Sequence, residues 1–338
     1  MATVWFILVA LMLVAYVVLD GFDLGAGALH LIAARTDAER RTILSAIGPV
    51  WDGNEVWLVV GGGVLFAAFP VVYGALFSGF YIAFMLVLLV LILRTVAIEF
   101  RSKRDGATWR STWDFVFFLT SLGLALLLGV AIGDIIAGVP LNSSGQIVIG
   151  SLVDLLHPFA LWVGVTTVAM LTLHGALYLN LKTEGQIQAR VRTLLPWLFG
   201  ALVVAATVLA VWIWFTDNAV AVDYRREVWP FVLPVAAFAA FVVAGVMLLR
   251  GRDLAAFFSS ATMLALLLGS VAAGLYPNLL VSSLKSAYNM TVSNAASAPL
   301  TLTVMLIVAV IGLPFVLLYT AGAQYVFRGK VELTDHSY

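Results

Sequence analysis

The stretch Gly48-Pro49-Val50-Trp51-Asp52-Gly53-Asn54-Glu55-Val56-Trp57 decides how the rest of the chain is read. It puts two carboxylic acids, an amide, two indoles and a Gly-Pro helix disturbance into surroundings apolar enough to sit in lipid. Pro49 has no amide hydrogen to give to the carbonyl of Ser45, so that carbonyl is free for water or a side chain. Gly48 and Gly53 allow a kink and the close approach of another backbone. Asn54 can donate and accept at once. Trp51 and Trp57 lie too deep to be interfacial anchors and are expected to wall a polar site.

The surroundings justify that reading. The chain has 338 residues, of which 63% are hydrophobic and only 11% charged. Soluble domains carry about a quarter charged residues, so this is a polytopic membrane protein. Its net charge is zero and it has no cysteine. That excludes disulfides, thiolate haem ligands, cysteine zinc sites and iron–sulfur clusters, and gives no electrostatic case for nucleic acid. The first residues lack a basic segment and a small-residue cleavage site, so the first apolar run is expected to be retained.

A span of hydrocarbon takes about 20 apolar residues in a helix. Nine runs qualify: 3–34, 43–69, 73–101, 113–137, 158–181, 194–215, 229–249, 254–276 and 300–327. The expected fold is therefore all-α and polytopic with nine transmembrane helices. Lysine and arginine set its orientation. With the N-terminus outside, fifteen of the eighteen basic residues fall at inner ends and loops. Arg225, Arg226 and Lys285 are the exceptions, so the C-terminus is expected in the cytoplasm. Two outer segments, 138–157 and 277–299, exceed simple turns. Gly27-Ala28-Leu29-His30 near the end of the first span is echoed by Gly175-Ala176-Leu177-Tyr178 in the fifth and Gly322-Ala323-Gln324-Tyr325 in the ninth. Small residues for helix packing explain this, and so do two related four-helix units.

Asp20 and Asp23 in the first span are three residues apart and share a helix face, as do Asp52 and Glu55 in the second. The short basic loop 35–41 makes these helices antiparallel neighbours. Asp23 lies about 18 Å along the helix from Arg35, and Asp52 about 16 Å from Arg41. Asp20 and Glu55 lie about 22 and 21 Å from the same markers. The acids are thus expected in two layers near mid-membrane, where an ionised carboxylate costs about 2.5–3.5 kcal/mol. Burial favours the neutral acid, and such groups can pass protons. A polar lock that moves nothing is the other reading. Arg94, seven residues or about 10 Å deeper along its helix than Arg101, either snorkels to the inner interface or balances the acids. Glu99, Arg101 and Lys103 form either a solvated helix end or a proton entry. His30, His157 and His174 are expected to be packing residues. His30 and His157 lie near opposite faces and cannot share a haem, and no dense metal-ligand spacing occurs. Gly61-Gly62-Gly63 is a packing surface, not a phosphate loop.

Leu19-Asp20-Gly21-Phe22-Asp23-Leu24-Gly25 followed by the opening stretch resembles subunit II of the cytochrome bd-type quinol oxidases. Gly61 to Pro70, Phe77-Ser78-Gly79-Phe80-Tyr81 and Glu99-Phe100-Arg101-Ser102-Lys103 carry the same likeness. It is dense over 16–115, thins across 140–250, and returns at Leu318-Tyr319-Thr320-Ala321 and the terminal His336-Ser337-Tyr338. The resemblance implies two four-helix bundles and a peripheral helix, divided here as 1–138, 139–276 and 277–338. It implies a complex in the bacterial cytoplasmic membrane that oxidises a membrane quinol and reduces O2 to water. Two b-type haems and one d-type haem would belong to a partner, subunit I, with none on this chain. A structural quinone and small single-helix subunits occur in some members. The family's inner proton path implies roles for Asp52, Glu99 and Lys103, with Tyr338 closing the inner mouth. Glu99 stands where some relatives have Asp, and the 216–228 connection is shorter than in longer relatives. From a different class, a stand-alone proton- or cation-coupled secondary transporter would also use buried acids.

Overall fold

The computed structural model describes residues 1–216, 219–226 and 231–333. Twelve α-helices follow in order: α1 (Ala2–Ala33), α2 (Asp37–Ile47), α3 (Trp51–Ala68), α4 (Pro70–Gly79), α5 (Tyr81–Phe100), α6 (Ala107–Ala137), α7 (Pro158–Lys182), α8 (Gly185–Phe215), α9 (Ala219–Arg226), α10 (Val232–Leu249), α11 (Asp253–Leu275) and α12 (Pro299–Val326). Two short strands, β1 (Asn278–Leu280) and β2 (Met290–Thr291), pair antiparallel before α12. Among the described residues, eight helices are long and apolar enough to cross a membrane: α1, α5, α6, α7, α8, α10, α11 and α12. Each overlaps an expected span.

The second expected span is corrected. Residues 43–69 are not one kinked helix. α2 begins in what looked like a plain basic loop, where Thr36 and Glu39 form a reciprocal capping box. It ends at Ile47, and the chain turns through Gly48-Pro49-Val50 before α3 starts at Trp51. Pro49 cannot continue the amide ladder, so the helix breaks outright. α3 carries Asp52, Asn54 and Glu55 in its first turns and is not among the eight. The third expected span is also divided. Pro70 holds the preceding Phe69 out of the helical region, at φ −136° and ψ 63°, and opens α4. Phe80 then separates α4 from α5. The 216–228 connection holds the helix α9, which the sequence reading did not anticipate.

α1 is the hub and packs against α3, α6, α7 and α11. Its residues Asp20 to His30 form an unbroken buried run. The closest approach is to α7. A Cβ on Gly25 would overlap the Leu171 carbonyl oxygen and sit 2.8 Å from the Gly175 Cα. Nothing larger than hydrogen fits either helix at this crossing, as in other small-residue membrane interfaces. Of the glycines that open the repeated segments, Gly27 packs against Ser121 and Gly175 against Gly25, whereas a Cβ on Gly322 would meet nothing. α12 is the opposite case: Leu302 is its one buried residue among those described.

The two long connections lie together at the end where α1 begins. Val139 N–H donates to the Val281 carbonyl at 2.9 Å, and Ser282 Oγ donates to the Leu141 carbonyl at 2.8 Å. Trp5 on α1 donates its indole N–H to the Leu302 carbonyl at 3.0 Å, tying α12 to the same end. α2, the α5–α6 turn and the chain after α12 gather at the other end. There the Val331 amide donates to the Lys182 carbonyl at 2.9 Å.

Candidate functional site: a buried acid–arginine cluster

Asp20 and Asp23 come from consecutive turns of α1, and Arg94 from α5. All three are fully buried. Arg94 Nη2 donates to Asp20 Oδ1 at 2.7 Å, and Nη1 reaches Glu55 Oε2 of α3 at 3.5 Å. Asn54, also buried, donates through Nδ2 to Asp23 Oδ2 at 2.8 Å and to the Leu19 carbonyl at 3.2 Å. Three helices therefore converge on one polar centre. Arg94 acts as the counter-charge and not as an interfacial anchor.

The centre is incompletely paired. Asp20 Oδ2, Asp23 Oδ1, Arg94 Nε and the hydroxyl of Tyr16 are buried with no hydrogen-bond partner among the described residues. Three carboxyls surround one guanidinium, so acids outnumber cations. A site of this composition can hold a proton and exchange it, and its orphan lone pairs are places for water. Trp57 packs with Met12 and Tyr16 on the side nearer the start of α1. Trp51 is buried in the main core.

Asp52 is not in this centre. It is exposed at the start of α3, together with Gly53. A helix turns about 100° per residue, so Asn54 facing Asp23 puts Asp52 about 200° away. The depth estimate placed Asp52 at the level of Asp23, and Asn54 occupies that place instead. The layer that joins Asp20 and Glu55 does form, through Arg94. Asp52 remains within electrostatic reach of Glu55. Glu99 is half-buried near the end of α5, and Lys103 is exposed in the turn that follows. Tyr338 lies outside the described residues.

A second polar cluster was missed by the sequence reading. Asp114 of α6, fully buried, accepts from Arg101 Nε at 2.5 Å, Arg40 Nη1 at 2.9 Å and His30 Nε2 at 2.6 Å. Arg101 is buried too and donates to Asp37 at 2.9 Å. Asp114 stands alone in sequence, near the start of an apolar run, where a lone acid resembles an ordinary helix-end charge. Nothing local marks it as the meeting point of α1, α2, α5 and α6.

The histidines are engaged individually. His174 bonds to Ser260 Oγ at 2.7 Å and to the Val18 carbonyl at 3.0 Å, and its ring stacks on Phe257. His157 caps α7 and lies 3.1 Å from Asp134. Burial pulls the His157 imidazole below its ordinary pKa. His30 gives Nε2 to Asp114 and packs edge-on against Phe117. These three sites are separate, and no group of three or more His, Cys, Asp or Glu side chains among the described residues could hold a metal.

At the same end as Asp114, a cavity of about 430 Å³ lies beside Pro49, bounded by Ser45, Tyr178 and Lys182 and by the chain after α12. Lys182 Nζ donates to the carbonyls of Phe327 and Gly329, and Lys330 Nζ to that of Thr183 at 2.9 Å. Nearby, Arg190 of α8 grips Glu39 with bonds of 2.7 and 2.9 Å. That contact pulls the Glu39 carboxyl down to about 2.

Eight helices apolar enough to cross a membrane, with a buried acid–arginine centre between α1, α3 and α5, define a multi-pass membrane protein. The particular family follows from comparison with known proteins. Residues 1–327 match the family model for cytochrome bd terminal oxidase subunit II. The chain is 37% identical over 330 residues to cytochrome bd ubiquinol oxidase subunit 2 of Bacillus subtilis, covering 97% of this chain and 96% of that one. It is 34% identical over 362 residues to cytochrome bd-I ubiquinol oxidase subunit 2 of Escherichia coli K12, covering 98% and 95%. A solved bd oxidase structure from Geobacillus thermodenitrificans shares the fold, with TM-score 0.77 and 18% identity over 96% of each chain. The chain belongs to the cytochrome bd terminal oxidase subunit II family.

Proposed function

We propose that this chain is the haem-free subunit II of a bd-type quinol oxidase in a bacterial cytoplasmic membrane, and that it helps deliver cytoplasmic protons to O2 reduction. The names of its relatives support the quinol:O2 oxidoreductase. The observation that carries the proton role is the Asp20–Arg94–Glu55 and Asp23–Asn54 centre, with more carboxyls than cations. Glu99 and Lys103 gather protons at the inner face. Asp52 passes them on, and its exposure on α3 suits a group that hands protons to another chain. Asp20, Asp23 and Glu55 extend the hydrated network, and Tyr338 closes the inner mouth.

The two b-type haems and one d-type haem belong to subunit I, the pseudo-symmetric partner, which also oxidises the quinol. A structural quinone and small single-helix subunits are compatible partners. In this reading α3 and α4 act together as a further crossing. The protein then has nine spans, N-terminus outside and C-terminus cytoplasmic, as two four-helix bundles over 1–138 and 139–276 with 277–338 appended. A stand-alone transporter is not favoured by a family match that covers nearly the whole chain.

The test is Asp52→Asn in the assembled complex. Oxygen consumption per haem falls if Asp52 relays protons. Normal haem content with undiminished turnover removes it from the path. A scaffold role would alter assembly and leave turnover per haem unchanged.

A further inference from the structure

The Asp114 cluster borders a second cavity of about 430 Å³, between α2 and the turn joining α5 to α6. Three arginines line it: Arg40, Arg101 and Arg110. Each keeps a buried guanidinium nitrogen with no hydrogen-bond partner among the described residues, namely Arg40 Nε, Arg101 Nη1 and Arg110 Nε. Arg101 is only 1% exposed, so its orphan donor has no bulk water to fall back on.

The same cavity receives the N-terminus of α6, with Gly106 and Ala107 in its wall. Gly106 occupies the cap position and has no side chain to cap with. The first-turn amides of a 31-residue helix are therefore left to an outside acceptor, at the positive end of its dipole. Three acids also line the cavity. Asp114 and Asp37 are already held by the arginines, and Asp105, bonded to Arg110 at 2.6 Å, is almost fully exposed at the rim. The orphan nitrogens are what remains after these pairs are made.

The position of the mouth bears on the ligand. α5 and α6 both cross the membrane, so the turn between them lies at its surface. Phe100, Trp109 and Trp113 pack together beside it, and Arg104 lies 5.0 Å over the Trp109 ring. Such aromatic groups sit at headgroup level. We propose that this cavity is a binding site for a phosphate-bearing anion at the membrane surface, either the headgroup of an anionic phospholipid or free phosphate. Guanidinium forks and helix amides are the donors that recognise phosphate oxygens.

The experiment uses the intact oxidase complex reconstituted in phosphatidylcholine vesicles. Its thermal midpoint is followed on adding phosphatidylglycerol to the vesicles or inorganic phosphate to the buffer. One or both additions raise the midpoint of the unsubstituted protein. Arg110→Gln weakens the half-saturating concentration by about fivefold, the ~1 kcal/mol expected of one surface arginine. Ser111→Glu, which keeps every arginine but puts an acid on the cavity wall, abolishes the response. Lys285→Gln, on the opposite end of the molecule, leaves it unchanged. A response to phosphatidylglycerol alone identifies a lipid, and one reproduced by inorganic phosphate identifies the free anion. If neither addition shifts the midpoint, or if Arg110→Gln and Ser111→Glu respond as the unsubstituted protein does, the site does not exist. Should Arg110→Gln fail to assemble, Ser111→Glu decides alone.

Discussion

The two polar clusters of this protein differ in how their charges are matched. Around Arg94, three carboxyls share one guanidinium. Around Asp114, one carboxylate is shared by two guanidiniums and an imidazole, and Asp37 takes up further arginine donors. The first has acid to spare and can carry a proton. The second is a clamp that joins α1, α2, α6 and the turn after α5, and it keeps unpaired guanidinium N–H groups among the described residues. The first is short of positive charge, whereas in the second Arg40, Arg101 and Arg110 are matched by Asp37, Asp105 and Asp114 and only individual guanidinium N–H groups are left unpaired among the described residues.

Substitutions that strip one member from either cluster separate the two characters. The largest effect is expected at Arg94. Arg94→Gln leaves Asp20, Asp23 and Glu55 buried without a cation, a class of change that costs about 3–5 kcal/mol. A sharply lower yield and thermal midpoint of the complex would show it. Arg94→Lys keeps the charge and should recover part of the loss. Assembly as good as the unsubstituted protein's would mean that the acids do not need this partner.

Asp114→Asn comes next. It leaves Arg101 buried with only Asp37 to balance it, and about 3 kcal/mol is expected to be lost. Because the clamp is structural, turnover per haem in whatever complex survives should be unchanged. An equal fall in turnover per haem would erase the contrast drawn between the clusters. Asn54→Leu should cost about 1–3 kcal/mol, since Asp23 Oδ2 loses its donor inside the protein. Unlike Asp114→Asn, it is expected to lower oxygen consumption per haem.

The smallest effect is at Glu39, away from both clusters. Its carboxyl is held down to about 2, first by the Arg190 bond. A group depressed in the folded state adds stability that is present above its ordinary carboxylate pKa and is lost as pH falls toward that lower value. Glu39→Gln should therefore flatten the acid limb of the stability curve between about pH 4.5 and 2. A midpoint difference between the two proteins that is the same at pH 7 and pH 3 would show that the ion pair contributes nothing.

Much of the framework was legible in the chain. Eight helices coincide with apolar runs because lipid gives the backbone no alternative to helix. Pro49 announced a disturbance, though the structure breaks the helix there outright where a kinked single span was expected. The reading failed where phase, not composition, decides. Asp52 and Asp23 were placed level by counting from neighbouring basic residues. The turn at Gly48-Pro49-Val50 resets the rotation of α3, and no residue count carries through such a turn.

By itself, the sequence determined a polytopic helical membrane protein, its family likeness, and the fact that Asp20, Asp23, Glu55 and Arg94 lie in apolar segments where charge is costly. Hydrophobic length and buried charge are properties of local composition, and one chain is enough to read them. The tertiary structure alone decided that Arg94 answers Asp20 and Glu55, that Asn54 answers Asp23, that Asp52 faces outward, and that Asp114 gathers residues from four helices. Those facts depend on how helices rotate and cross. Rotation and crossing are set by contacts between distant residues, such as Gly25 against Gly175, and those contacts exist only once the chain has folded.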